Sequence, residues 1–209
     1  MIEAQSVWFS YAGGPTVIRG VSLSVSPSEL VYIEGPNASG KTTLLKLLAG
    51  VYKPLRGRVL VDGLDTRKTP PHILARHVVM VFQDPGTQLV GRTLEEEAVF
   101  GVTIIGLDEG SVRKRFVKYL RTFGVLHPLS TPPRRLSLGE QRLVVLAACL
   151  ARQPRFILLD EPFFGLDAET LTSVVQVLSS QGYGIVIASC HYPPFSPNKH
   201  LHLTDGKLQ

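Results

Sequence analysis

The stretch GPNASGKT at residues 35–42 constrains this chain more than any other. It lies between an apolar, β-branched run, ELVYIEG, and a run of helix formers with leucines at helical spacing, KTTLLKLLAGV. A strand that breaks into a glycine-rich loop and then at once into a helix aims backbone N–H groups and the positive end of the helix dipole at one point. A bound phosphate requires that arrangement. Every fixed position of G-x-x-x-x-G-K-[ST] is present as Gly35, Gly40, Lys41 and Thr42, with Pro36, Asn37, Ala38 and Ser39 between them and Thr43 following. Lys41 is expected to reach the β- and γ-phosphates of a nucleotide, and the Thr42 hydroxyl to ligate Mg²⁺.

The rest of the chain agrees with a loop of this kind. SVWFSY and TVIRGVSLSVS read as short strands, GRVLVDGLD as a hairpin strand with an Asp-Gly turn, and HVVMVFQD as a buried strand. Residues 84–135 are more helical, more charged and richer in turns. There SVRKRFVKYLRTFG puts Val112, Phe116, Leu120 and Phe123 on one helix face and its basic residues largely on others. After Pro132 and Pro133 helix and strand alternate again through EQRLVVLAACLARQ, RFILLDEP, AETLTSVVQVLSSQG and GIVIASCH, as in a sheet with crossover helices. The expected fold is α/β, a P-loop nucleotide-binding fold. Its core comprises 1–83 and 136–209, with an N-terminal antiparallel β lobe, and an inserted helical lobe covers about 84–135.

Composition bounds the setting. With 209 residues, 44% of them hydrophobic, the chain fits one domain with a lobe or two added. Its longest apolar run, LVVLAACLA at 143–151, falls short of the roughly 20 residues a membrane-spanning helix needs. The first residues lack a basic start followed by an apolar core, so a cytoplasmic address is expected. Cys149 and Cys190 have no metal-ligand spacing and are expected to be reduced and packed in the core. A net charge of +5 suits nucleotides, nucleic acid or an anionic membrane surface and does not choose among them. His200 and His202 in KHLHL alternate on a strand and face one side, but no third metal ligand is evident in sequence.

A phosphate loop needs a second metal-facing acid at the end of a buried strand, and FILLDE supplies Asp160. Glu161 follows at once, where a base could align a water for in-line attack at the γ-phosphate. With VFQD, LSLGE, GLDAE and ASCH in this order, nearly the whole chain resembles the ATP-binding cassette (ABC) ATPases. The resemblance implies that Gln83 approaches Mg²⁺ and couples the site to a membrane partner. It also implies that Asp167 communicates across a dimer interface, that His191 contacts the γ-phosphate, and that Tyr11 stacks on adenine.

In that family the usual signature is L-S-G-G-Q or L-S-G-G-E, and it closes over the nucleotide of a second subunit. Here Ser137 and Gly139 match and Glu140 is a tolerated variant, while Leu138 replaces the first glycine. The replacement raises the question of whether that backbone position needs φ > 0, which is costly for leucine. Leu143 stands where the family commonly has arginine, and Ala38 replaces a common loop glycine.

The run VFQDPGTQLVGRTLEEEAVFG is similar to the energy-coupling factor ATPases of vitamin and transition-metal importers. That similarity implies a second ATPase subunit in a homo- or heterodimer, an integral membrane coupling protein docked around 84–101 and a separate substrate-binding membrane protein. It also implies a peripheral position on the cytoplasmic face of the membrane and no nucleic-acid partner. Two other readings are an ATP-binding regulatory subunit with little hydrolysis, for which Leu138 is the support, and an ABC ATPase outside transport.

Overall fold

The computed structural model describes all 209 residues. The chain opens with β1 (Ile2–Ser10), β2 (Thr16–Val25) and β3 (Leu30–Glu34), then passes through the phosphate loop into α1 (Lys41–Leu48). β4 (Arg56–Val61) and β5 (Leu64–Asp65) form the expected hairpin, with Asp62 at φ 49° and Gly63 at φ 81°. Positive φ at both central residues is the two-residue turn that matches strand twist. A short α2 (Pro71–Leu74) leads to β6 (Val78–Val81), and α3 (Leu94–Val99) and α4 (Glu109–Thr122) follow. The chain then returns through α5 (Leu138–Ala151), β7 (Phe156–Asp160), α6 (Ala168–Ser180), β8 (Gly184–Ser189), β9 (Lys199–Thr204) and β10 (Lys207–Leu208).

Two sheets result. An antiparallel sheet runs β2-β1-β4-β5, and a six-stranded sheet runs β10-β9-β3-β8-β7-β6, parallel except for the β10–β9 pair. Successive residues of a strand face opposite sides, and the parallel strands are apolar on both. On one side Tyr32, Ile157, Leu159, Ile185 and Ile187 join α4, α5 and α6 in a single cluster. On the other, Val31, Ile33, Leu158, Val186 and Ala188 pack with α1 and the antiparallel sheet. Burial on both faces explains why these strands read as unbroken apolar runs. It also leaves the C-terminal ends of β3 and β7 as the place where polar groups can collect.

Some expectations change. Phe123 is only partly buried and stacks on Tyr119, which fills the α4 face in its place while its hydroxyl donates to Gln181 Oε1 at 2.6 Å. α5 begins at Leu138 rather than Glu140, because Ser137 caps it. Cys149 is buried, and burial pushes its thiol up to about 11. Cys190, by contrast, is exposed beside His191, since the β8 run ends one residue before it.

Candidate nucleotide-binding and hydrolysis site

The phosphate loop follows β3, and its sharp path is set by Ala38 and Gly40, at φ 63° and 104°. For alanine that conformation costs on the order of 1 kcal/mol, which a glycine would avoid. A cleft of about 520 Å³ opens over the loop, walled by Asn37, Ala38, Gly40, Lys41, Thr42 and Thr43, with Tyr11, Gln83 and Glu161 at its borders. Tyr11 is half exposed, and its hydroxyl lies 2.8 Å from Thr43 Oγ1, so its ring is tethered at the cleft edge.

Lys41 is buried and reaches back over its own loop, donating to the carbonyls of Gly35 (2.8 Å) and Pro36 (3.0 Å). Its ammonium also pairs with Glu161 Oε1 at 3.1 Å. Thr42 Oγ1 sits 3.0 and 2.8 Å from the two carboxylate oxygens of Asp160. Asp160 is 2% exposed, and burial raises its carboxyl above the usual range against the lowering effect of Thr42. A buried carboxylate facing a hydroxyl at a phosphate loop is a fitting place for a hard divalent cation, whose charge would reverse that shift. Ser39 adds a buried hydroxyl with no partner within the chain. These residues fit a nucleotide with its Mg²⁺: Thr42 and Asp160 would hold the ion, which when bound neutralises phosphate charge.

Glu161 is held with φ +43°, a conformation non-glycine residues seldom keep unless the surroundings enforce it. Here they do. Its N–H donates to the Ala188 carbonyl at 2.8 Å, and its Oε2 accepts from Ser189 Oγ (2.9 Å) and the Cys190 N–H (3.1 Å). His191 Nδ1 lies 3.4 Å from the same Ser189 hydroxyl. The structure thus joins Glu161 and His191 through Ser189, which sequence reasoning passed over as part of an apolar strand.

A second omission is Arg142. It is 2% exposed in the second turn of α5, and its guanidinium donates to the carbonyls of Gln83, Asp160 (3.4 Å) and Glu161 (3.0 Å). Burial lowers its pKa to about 10, so it remains a cation at neutral pH. It ties the Gln83 segment to the strand end carrying both acids. A lone arginine inside QRLVVLAACLA was the available signal, one position before Leu143, where the family pattern has its arginine.

Ser137, Gly139, Glu140 and Asp167 lie apart from this cleft. Leu138 is the first residue of α5 and has no positive φ, so the leucine causes no backbone strain. The constrained glycine is Gly139, where a side-chain carbon would come within 2.6 Å of the Gly165 carbonyl. Leu138 is 40% exposed at the signature tip. Asp167 caps α6 through the Thr170 N–H at 2.7 Å, a bond that lowers its pKa.

Ser137 and Glu140 form a reciprocal capping box, with the Ser137 hydroxyl donating to Glu140 Oε2 at 2.7 Å. His127 engages the other oxygen at 2.8 Å. Led by the Ser137 bond, these interactions lower the Glu140 pKa from 4.5 to about 2. A depressed carboxyl stabilises the fold above its unfolded value and loses that contribution as pH falls through the folded one. Glu140→Ala is therefore expected to destabilise by about 1 kcal/mol at neutral pH. In urea unfolding, the gap to the wild type should close between pH 4.5 and about 2.

Fold and site together define a P-loop nucleoside triphosphatase in which the buried Glu161 carboxylate neighbours the phosphate loop. The sequence profile described as "ABC transporter" matches residues 18–164, and the chain belongs to the ABC transporter family as one of its ATPases. It is 38% identical to an ABC transporter ATP-binding protein of Pyrococcus horikoshii, over 100% of this chain and 82% of that one. It is 37% identical to the energy-coupling factor transporter ATP-binding protein EcfA1 of Thermotoga maritima, over 99% and 80%. Among solved structures, cbiO1 from Clostridium perfringens, part of the ABC transporter complex cbiONQ, superposes with a TM-score of 0.85 at 27% identity, covering 100% of this chain and 86% of that one.

Proposed function

We propose that this chain is the ATP-hydrolysing subunit of an energy-coupling-factor type import complex, peripheral on the cytoplasmic face of the membrane and specific for a vitamin or a transition metal. The observation that carries the reading is the placement of residues 82–88. Gln83 borders the nucleotide cleft, while Phe82 and Gln88 line a separate apolar groove of about 440 Å³ with Val51, Met80 and Cys149. One short segment therefore touches both cavities. The Gln88 side chain stitches it by accepting from the Phe82 N–H (3.0 Å) and donating to the Met80 carbonyl (2.8 Å). No helix is long and apolar enough to cross a membrane. In this reading the groove, which adjoins the Gln83 segment, receives a helix of an integral membrane partner. A separate membrane protein selects the solute. Residues about 84–135 act as the helical lobe that moves with the partner.

In this reading Tyr11 stacks on adenine, residues 35–43 cradle the phosphates, and Mg²⁺ is held by Thr42 and Asp160 with Gln83 nearby. Glu161 takes the proton of the attacking water, and His191 steadies the γ-phosphate. Ser137, Gly139, Glu140 and Asp167 serve the nucleotide of a second ATPase subunit. Because Ser137 already donates to Glu140, that bond opens when the dimer closes.

Val51 is 54% exposed on the groove and does not line the nucleotide cleft. Val51→Asp is expected to release the chain from its native membrane fraction while the purified chain hydrolyses ATP as before. Undiminished membrane association and transport would refute the docking site. The dimer reading has its own test. Hydrolysis by the chain alone should rise with the square of protein concentration, and Leu138→Gly should change it less than twofold, since the leucine is unstrained. A large gain with glycine would show that this signature is impaired and that the chain requires a different partner subunit.

A further inference from the structure

The pair His200 and His202 lacked a third ligand in sequence, and the structure supplies one. β9 runs parallel to β3 with Tyr32 opposite His200 and Glu34 opposite His202, so the alternate side chains of both strands share a face. The Glu34 carboxylate and the two imidazoles bring one ligand atom each within 4.8 Å of one another, and Glu34 Oε2 already lies 2.8 Å from His200 Nε2. The imidazole rings are 4.9 Å apart. Tyr192 roofs His200 with its ring centroid at 5.6 Å, and Tyr32 flanks it at the same distance. Glu34 and His200 are each about a quarter exposed, and His202 is exposed, so an ion can enter from solvent.

We propose that Glu34, His200 and His202 form a binding site for a divalent first-row transition-metal ion, with Zn²⁺ as the reference. Two imidazoles and one carboxylate are a zinc ligand set that leaves a fourth position open. Ligands about 2.1 Å from a common ion stand roughly 3.4 Å apart at a tetrahedral angle, so the Glu34–His200 pair at 2.8 Å opens slightly and the remaining separations, none above 4.8 Å, close by roughly 1.4 Å at most. Binding uses the lone pair of His200 Nε2, so the imidazole tautomer that coordinates carries its proton on Nδ1. The ion would bridge β9 to β3, which ends at Glu34 immediately before Gly35, fixing the foot of the phosphate loop. The site shares no residue with the hydrolytic group, although Tyr32 beside His200 donates its hydroxyl to the His191 carbonyl at 2.7 Å, and it does not depend on the import reading.

A second group, Glu161, Cys190 and His191, also brings three donor atoms within 4.8 Å. It carries the weaker case, because Lys41 already places a positive charge on Glu161. The test separates the two. Untagged, metal-stripped protein without nucleotide is titrated with Zn²⁺ by calorimetry, and its thermal midpoint is followed at each concentration. One ion per chain is expected, with micromolar affinity and a midpoint that rises with Zn²⁺. His202→Ala should weaken binding by at least the 10- to 100-fold typical of losing a supporting group, and Glu34→Gln should do likewise. His202 is the safer variant, since it is exposed and its loss spares the Tyr32 packing. Cys190→Ser should bind as the wild type does. Binding that survives His202→Ala and disappears in Cys190→Ser would overturn the proposal in favour of the other group, and the absence of saturable binding would overturn it outright.

Discussion

Glu161→Gln is expected to reduce steady-state ATP turnover by about 10² or more, a loss of about 2.7 kcal/mol of transition-state stabilisation, without weakening nucleotide affinity. Glutamine is isosteric, and its amide oxygen can still accept from Ser189 Oγ and the Cys190 N–H, so the strained φ of +43° remains supported. Two things disappear: a base that can take a proton from water, and the negative charge that pairs with Lys41 at 3.1 Å. That pair is almost fully buried, with side-chain exposures of 5% and 12%, and phosphate must draw Lys41 away from it. Neutralising residue 161 removes this competition, so ATP should bind at least as tightly and persist. The measurement is phosphate release per chain together with the fraction of nucleotide-bound dimer by size-exclusion chromatography. Turnover equal to the wild type would remove Glu161 from the mechanism.

The second large effect is expected at Arg142. Arg142→Leu fills a similar apolar space but strips a charged donor from the carbonyls of Gln83, Asp160 and Glu161. Leaving buried acceptors unpaired costs about 1–3 kcal/mol each, while removing a buried charge returns part of that. A net destabilisation of about 3 kcal/mol is expected in urea unfolding. The more telling readout is kinetic. Arg142 does not itself line the nucleotide cleft, so its loss should lower kcat more than it raises KM, by releasing the Gln83 segment from the acid-bearing strand. Arg142→Lys should recover part of the stability but not the turnover, because a single ammonium cannot span three carbonyls as a planar guanidinium does. Equal recovery of both would mean that Arg142 only fills and charges the core.

Much of the site was legible because its physics is local. A phosphate loop is a strand, a turn of fixed length and a helix N-terminus, so GPNASGKT announces itself. Asp160 and Glu161 end an apolar run for the same reason: a buried strand can expose polar groups only where it stops. The Asp62-Gly63 turn and the Ser137 cap likewise depend on neighbours within a few residues. Contacts between distant segments left no such trace. The roles of Arg142, which joins positions 83, 142 and 160–161, and of Ser189 beneath Glu161 exist only once β7, β8 and α5 are packed.

The signature shows the division most clearly. Sequence alone marked Leu138 as the anomaly, by pattern. The structure moves the constraint to Gly139, because it is the Gly165 carbonyl, brought in by the loop before α6, that leaves no room for a side chain. In the same way, alternation placed His200 and His202 on one face of a strand, but only the parallel pairing of β9 with β3 supplied Glu34. The sequence by itself determined the phosphate loop, the acids and the α/β alternation, since each rests on backbone geometry and short-range burial. Tertiary structure alone decided which side chains meet, because strand order and register set distances that no spacing along the chain encodes.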